Sequence, residues 1–175
     1  MSVRFSELAS PVGRLRLALC DGALVRLEFA DETAAPAAWH RDDEALAPAC
    51  AQLRAYFAGQ RRSFDLALAP AGTEFQRRVW QALTQIPHGE TISYGELARR
   101  VGQPQAARAV GMANNRNPIA IVVPCHRVVG ADGRLVGFGG GLPRKRWLLQ
   151  HEAAQRALGL GALPLVAGAA IGEGR

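Results

Sequence analysis

The cysteine at position 125 stands in a setting that favours chemistry over packing. Cys125 lies in the segment IVVPCHRVVG, between Pro124 and His126, directly after a run of β-branched residues. A cysteine reacts as its thiolate, and an unperturbed thiol with a pKa of about 8.5 is mostly protonated at neutral pH. The adjacent imidazole is the kind of base that activates such a nucleophile. The segment therefore indicates a reactive thiol, although a cysteine after a β-branched run is more often a buried, inert one.

The base can serve this thiol only if the chain brings the two side chains together. Neighbours in a regular strand point to opposite faces, which would separate Cys125 from His126. A bend favoured by Pro124 would join them, and a bridging water would serve equally well. The imidazole also needs a carboxylate to orient it, and Glu152 in the last predicted helix offers one.

The second part of the chain is predicted to be mostly helical. Segments TEFQ at 73–76 and SYGE at 93–96 have the spacing of capping boxes, and each predicts the start of a helix. The first helix ends at the Pro-His-Gly segment 87–89 and the second at Gly102. A third is predicted from Pro104, over PQAARAVGMANN. Two short helices joined around a glycine indicate a helix-turn-helix.

Beyond these helices the sequence predicts a loop, a buried strand over the apolar run 119–123, the Cys-His bend and a glycine-rich turn. A last helix is predicted over LPRKRWLLQHEAA, residues 142–154. The first part predicts three strands within residues 2–31, a loop over 31–43, a helix in DDEALAPACAQLRAYFAG, and a linker with one short strand over 60–72. The expected units are a domain at 1–71, a domain at 72–155, and a Gly/Ala-rich tail at 156–175 without an assigned role.

Composition and charge limit the classes of function. The chain has 175 residues, of which 49% are apolar and 21% charged, so it can build a core. Its net charge of +6 is uneven, since residues 1–71 carry −1 and residues 72–175 carry +7. A basic second part indicates a polyanionic partner, although a merely basic surface would have the same composition.

The cellular setting is predicted from what the chain lacks. There is no signal-peptide pattern at the start and no apolar run of about 20 residues. The three cysteines, Cys20, Cys50 and Cys125, form no C-x-x-C pair, which argues against a disulfide framework and a zinc site. We therefore expect a soluble cytoplasmic protein without metal or membrane contact.

The series of motifs resembles one known family. PCHRVVG is similar to the active-site motif of the O6-alkylguanine-DNA alkyltransferases, also called methylated-DNA–protein-cysteine methyltransferases. Further motifs stand in the family's order between about residues 72 and 153: FQRRVWQAL, IPHGETISYGELA, AARAVGMANNRNP, GFGGG and RKRWLLQHE. SPVGRLRLA extends the resemblance weakly into the first part.

This resemblance implies an α+β fold and a reaction. The implied fold is a small ribonuclease-H-like α/β domain, followed by a winged-helix-like, helix-turn-helix domain that binds DNA and holds the cysteine. The implied reaction moves an alkyl group from O6 of guanine to Cys125, once per protein molecule and without a cofactor. His126 would activate the thiol through a water, Glu152 would fix the imidazole, and Asn117 would hold the backbone and the relay.

The resemblance also implies contacts to double-stranded DNA that carries alkylated bases. The third helix is expected in the minor groove, where its small side chains allow a close approach. Arg108 would fill the space of a flipped-out nucleotide, and the Tyr94 hydroxyl would protonate guanine N3 or promote rotation at the phosphate. The remaining expected DNA contacts are Ser93, Ala106, Ala107, Ala109, Gly111, Asn114 and Arg116.

The guanine pocket is expected to include Tyr94, Val123, Cys125, Val128, Phe138, Gly139 and Gly140. Some relatives carry serine at the position of Gly139, where its hydroxyl donates toward O6. A glycine cannot make that contact, and its small size would admit bulkier alkyl groups.

Three other readings remain open. A lesion-binding adaptor without transfer activity would lack the acceptor thiol, which Cys125 supplies here. A methylation-triggered regulator would carry an N-terminal cysteine-rich segment, which this sequence does not show. A cysteine hydrolase would leave the helix-turn-helix and the basic charge unexplained. We expect a monomer that acts as a transferase.

Overall fold

A computed structural model describes residues 2–158, so the predicted tail lies outside the described residues from residue 159 onward. Within the described part no helix is both long and apolar enough to cross a membrane.

A four-stranded sheet forms the first part of the chain. Its strands are β1 (Arg4–Ser10), β2 (Gly13–Cys20), β3 (Ala23–Phe29) and β4 (His40–Arg41), in the spatial order β3-β2-β1-β4. β1, β2 and β3 pair antiparallel, and β4 runs parallel to β1. Asp21 and Gly22 both have positive φ, 49° and 80°, which suits the two-residue turn between twisted strands. The three predicted strands are confirmed, and β4 is a short addition inside the predicted loop.

Helix α1 (Asp43–Phe57) packs against this sheet. The Asp42 side chain accepts a hydrogen bond from the backbone N–H of Ala45 and so caps the first turn. Its buried face includes Leu46, Leu53 and Tyr56. The hydroxyl of Tyr56 also contacts Glu152 in the second part of the chain.

Three helices form the framework of the second part: α2 (Glu74–Leu83), α3 (Tyr94–Arg100) and α4 (Ala107–Asn115). Thr73 and Gln76 make both bonds of the predicted capping box. Ser93 caps α3 as predicted, whereas the Glu96 carboxylate pairs with Arg99 and Arg100. α2 packs on both α3 and α4, so α3 and α4 form a supported helix-turn-helix.

Two predictions for this part were wrong. α4 begins at Ala107 and not at Pro104, because residues 103–106 close a turn in which the N–H of Ala106 bonds to the carbonyl of Gln103 at 2.9 Å. Proline is well suited to the second position of such a turn. The apolar run 119–123 is buried but is not a strand. Ile121 has φ of 72°, and the N–H of Val123 bonds back to the carbonyl of Ile119 at 3.0 Å, so the chain turns there.

The remaining elements complete the mixed α and β fold. Strands β5 (Ile92–Ser93) and β6 (Val128–Val129) pair in parallel, a 3₁₀ turn spans Cys125–Arg127, and helix α5 covers Leu142–Ala157. The two parts share one core. Leu27 of β3 bridges to Ile119, and both side chains are almost fully buried. The sheet of the first part therefore extends to the segment that leads into Cys125.

Candidate active site

Cys125 opens a 3₁₀ turn that is fixed on both sides. Its N–H bonds to the carbonyl of Val123 at 2.8 Å, and the N–H of Arg127 bonds to the carbonyl of Pro124 at 3.0 Å. Because the backbone turns here, Cys125 and His126 are not held on opposite faces of a strand. Only 5% of Cys125 is exposed, and burial raises the pKa of its thiol. A hydrogen bond from Asn117 and the charge of Lys145 act in the opposite direction.

His126 is fully buried and bound to the predicted carboxylate. Its Nε2 lies 2.8 Å from Oε1 of Glu152, which is also fully buried. An ionised carboxylate only accepts hydrogen bonds, so Nε2 carries the proton and donates it. Nδ1 is then the unprotonated nitrogen, and it has no partner among the described residues. This nitrogen can take the proton of a nucleophile. Burial lowers the pKa of His126, and the Glu152 charge offsets part of that effect.

Arg127 is a member of this site that the sequence reasoning missed. Its guanidinium binds both carboxylate oxygens of Glu152, each at 2.9 Å, and also donates to the carbonyl of Ile86 at 2.6 Å. Burial alone would raise the pKa of Glu152, but His126 and Arg127 outweigh it and hold that pKa well below its usual range. Glu152 is therefore ionised whenever the protein is folded near neutral pH.

Asn117 holds the segment that precedes the cysteine. Its Nδ2 donates to the carbonyl of Val123 at 2.8 Å, and its Oδ1 accepts from the N–H of Ile119 at 3.0 Å. These bonds stabilise the irregular 119–123 segment, where a single bridge to Leu27 is the sheet pairing recorded for the backbone. The position agrees with the expected backbone-holding role, which stays a prediction.

Lys145 on α5 is the second residue that sequence reasoning missed. Its ammonium is buried and donates to the carbonyls of Val128, at 2.5 Å, and Val136, at 2.9 Å. Burial lowers the pKa of Lys145 to about 8, and the charge of a Cys125 thiolate acts in the opposite direction. The same proximity places a cation near the sulfur, where it favours the thiolate.

A cleft of about 320 Å³ opens beside Cys125. Of the predicted pocket residues, Cys125, Phe138, Gly139 and Gly140 line it. The other three do not appear in its wall: Val123 and Val128 are fully buried, and the Tyr94 hydroxyl donates to the carbonyl of Val136 at 3.0 Å. Phe29 of β3 contributes a wall from the first domain and meets Phe138 edge to face at 5.9 Å. No sequence pattern pointed to that residue.

The predicted DNA-contacting residues divide by exposure. Arg108, Ala109 and Arg116 are exposed on or directly after α4, and Ser93, Tyr94, Ala106, Ala107 and Gly111 are partly exposed. A side chain at Gly111 would lie 3.5 Å from the Tyr94 ring, so α3 and α4 approach closely there. Asn114 differs from this set because only 1% of it is exposed. Its Nδ2 donates to the carbonyl of Cys125 at 3.4 Å, and the residue lines the cleft.

A helix-turn-helix whose second helix is hydrogen-bonded through Asn114 to the turn that carries the thiol and the imidazole defines a DNA-binding protein with a nucleophilic cysteine. Family models agree in both parts of the chain. Residues 3–70 match the ribonuclease-like domain of 6-O-methylguanine DNA methyltransferase, and residues 74–154 match its DNA-binding domain. The chain belongs to the 6-O-methylguanine DNA methyltransferase family.

Individual relatives support the same assignment. The methylated-DNA–protein-cysteine methyltransferase of Mycobacterium leprae is 56% identical over 151 residues, covering 85% of this chain and 92% of the relative. The protein of that name from Methanosarcina acetivorans is 51% identical, covering 86% and 98%. The crystal structure of Mycobacterium tuberculosis OGT in complex with DNA has a TM-score of 0.82 and 50% identity, covering 89% of this chain and 94% of that chain.

Proposed function

We propose that this protein repairs alkylated DNA by direct reversal. It moves an alkyl group from O6 of guanine to Cys125, in a single irreversible transfer per molecule. The observation that carries the proposal is the thiol of Cys125 in the wall of an open cleft, next in sequence to a buried His126 that is bound to the buried Glu152. The DNA-bound structure of a relative with 50% identity supports DNA as the partner. O4 of alkylated thymine is a second candidate substrate atom.

The chemical step follows from the charges around Cys125. Nδ1 of His126 takes the thiol proton, directly or through a water, and the Lys145 charge favours the thiolate. The sulfur attacks the alkyl carbon, a C–S bond forms, and the C–O6 bond breaks with its electron pair left on the base. The base then takes up one proton, for which Tyr94 is the expected donor. A thioether is a poor leaving group, so the protein is consumed.

DNA is proposed to bind through the minor groove, with α4 as the reading element. Its surface presents the small residues Ala107, Ala109 and Gly111, which suit close approach to a groove wall. Arg108, Met112 and Asn115 are the larger exposed side chains on the same helix. Arg108 then occupies the space of the flipped nucleotide, at a cost of a few kcal/mol for unstacking. Tyr94 must leave the carbonyl of Val136 before its hydroxyl can reach a base. We propose that the protein binds DNA as a monomer.

The remaining assignments are also proposals. The chain divides near residues 71 and 72 into a supporting domain and the domain that binds DNA and carries the thiol. The protein acts in the cytoplasm, because a reducing compartment keeps an acceptor thiol free. All three cysteines are unpaired in the structure, which agrees with that setting.

The decisive experiment follows label from DNA to protein. DNA with a radiolabelled methyl on guanine O6 is incubated with the wild type, with Cys125→Ala, and with Cys50→Ala as a control for loss of a buried cysteine. We expect saturation near one label per molecule in the wild type and the control, and none in Cys125→Ala. Release of free methanol over many turnovers would indicate a hydrolase instead. Lesion binding by the wild type without transfer would overturn the proposal in favour of a lesion-binding adaptor.

A second experiment separates flipping from chemistry. Arg108→Ala is compared with Arg100→Ala, an exposed arginine on α3, using methylated duplex DNA and the free base O6-benzylguanine. A flipping role predicts slower transfer from duplex in Arg108→Ala alone, with the free-base rate unchanged in both. Equal losses on both substrates would contradict that role.

A further inference from the structure

Tyr56 of the first domain reaches the carboxylate of the relay. Its hydroxyl donates to Oε1 of Glu152 at 2.8 Å, across 96 positions of sequence, and both side chains are fully buried. Burial and the Glu152 charge raise the pKa of Tyr56 well above its usual value, so the hydroxyl stays protonated. It is therefore a permanent hydrogen-bond donor to the relay.

The Tyr56 ring is held in place by a group of aromatic side chains. Phe57, Phe64 and His151 lie 5.3–5.5 Å from it between ring centroids, and His88 lies at 6.1 Å. The ring therefore cannot turn away without disturbing several neighbours. Among the described residues, no other member of this aromatic group donates a hydrogen bond to Glu152. The Tyr56 hydroxyl therefore links the first domain to the Glu152–His126 pair.

Oε1 of Glu152 is the same oxygen that accepts from His126. Tyr56 and His126 each donate to it at 2.8 Å, and Nη2 of Arg127 donates at 2.9 Å. Each donor withdraws negative charge from the oxygen, so the donors compete for one acceptor. The strength with which Glu152 holds a proton on His126 therefore depends on Tyr56.

We propose that Tyr56 is a positioning residue of the first domain, which orients Glu152 and limits how strongly that carboxylate draws a proton onto His126. The inference rests on the proposed function, because it assigns Tyr56 to the relay of that reaction. It makes the first domain part of the reactive site and not only a support for it.

Other charged groups around the relay bear on the same equilibrium. Arg127 comes from the 3₁₀ turn, Lys145 from α5, His88 from the loop before β5, and Cys125 is the thiol itself. Burial lowers the pKa of His88 to about 4, so it is neutral over the range that matters here. Lys145, with a pKa of about 8, is partly deprotonated around that pH, so titrations are best compared well below it.

The first test is Tyr56→Phe, which keeps the ring and removes the donor. Loss of the Tyr56 donor leaves more negative charge on Oε1 of Glu152, which stabilises the protonated imidazole of His126. The pKa of His126 should therefore rise by about 0.4–1 unit, the equivalent of a typical net hydrogen bond. The titration is followed by NMR with ¹³C-labelled histidine. The chain has four histidines, and the His126 signal is identified by its loss in His126→Gln. Phe64→Leu is the matched control, because it loosens the same aromatic group without touching Glu152.

The expected result is a raised His126 pKa in Tyr56→Phe and an unchanged one in Phe64→Leu, even where both lower the melting temperature. A Tyr56→Phe variant that folds, loses stability and leaves the His126 pKa in place would overturn the proposal. The NMR titration does not depend on alkyl transfer. A protein that transfers no alkyl group would contradict the proposed function, and the effect of Tyr56 on the pKa of His126 could still be measured.

A second perturbation works in the opposite direction and does not depend on Tyr56→Phe folding. The chain has two tyrosines, so in Tyr94→Phe the only remaining tyrosine is Tyr56. In that variant 3-fluorotyrosine is incorporated at position 56 only. The fluorinated phenol is a stronger donor, so the His126 pKa should fall relative to Tyr94→Phe with ordinary tyrosine. A rise, or no shift, would contradict the proposal.

Discussion

The ion pair between Arg127 and Glu152 gives the sharpest prediction for stability. Arg127→Met keeps most of the side-chain volume and removes two buried hydrogen bonds of 2.9 Å to the carboxylate. Removing one partner of a buried pair costs about 3–5 kcal/mol, because the other charge is left in a dry site. We expect a loss of about 3 kcal/mol at pH 8 in the free energy of unfolding.

That loss should depend on pH, because His126 can replace the missing charge. In the wild type the pKa of His126 is lowered on folding, so the folded protein favours the neutral imidazole. The stability that this gives is present above the unfolded pKa of about 6.5 and is lost as the pH falls through the folded pKa. In the variant, the unpaired carboxylate raises the pKa of His126, so the folded protein favours the protonated imidazole. The stability that this gives is fully present below about pH 6.5 and is lost as the pH rises through the folded pKa. The difference between the proteins should therefore shrink by about 1–2 kcal/mol at pH 6.

Urea denaturation at pH 6 and pH 8 measures both effects. Glu152 has a depressed pKa, so the stability it contributes is lost only as the pH falls below about 4.5, outside this range. Arg134→Met is the matched control, since it breaks an exposed pair with Asp132 and should cost less than about 0.5 kcal/mol. A loss below about 1 kcal/mol at pH 8, or the same loss at both pH values, would refute the reasoning.

Three further outcomes follow from the cleft and its surroundings. Lys145→Met removes a cation near the sulfur, so the thiolate titration seen in the pH dependence of transfer should move up by about one unit; an unmoved profile would contradict this. Gly139→Ser fits, because a Cβ there lies 3.4 Å from the carbonyl oxygen of Asn115, and it should lower the rate of benzyl relative to methyl transfer; an unchanged ratio would argue against a pocket widened by glycine. Gly140→Ala places a Cβ 2.3 Å from the Phe29 ring and should cost about 1–3 kcal/mol, measured by calorimetry as a lower melting temperature; a wild-type value would show that the ring moves freely.

Local signals predicted the starts of elements well where a side chain makes the cap. Thr73 and Ser93 cap their helices through their own hydroxyls, so sequence and structure agree there. The start of α4 was misplaced because proline suits a turn as well as the first turn of a helix. The run 119–123 was read as a strand because an apolar run reports burial, and burial does not determine the backbone conformation.

The candidate site shows the same division. Cys125 and His126 are adjacent in sequence, so the sequence alone predicts that they act as thiol and base, and this stays a prediction. Arg127 and Tyr56 were missed because their role is set by Glu152, which lies 25 and 96 positions away from them. An arginine on a short turn and a tyrosine on an amphipathic helix have ordinary structural explanations. Only their convergence on one carboxylate distinguishes them.

The position of Glu152 along the chain has a consequence for protein synthesis. Its carboxylate joins α1, the loop before β5 and the 3₁₀ turn, yet it is made after all of them. While a nascent chain lacks α5, the Arg127 guanidinium and the His126 imidazole have no carboxylate to hold them, and the thiol has no oriented base. The surroundings that orient the base are therefore complete only after α5 has been made and has packed against the 3₁₀ turn.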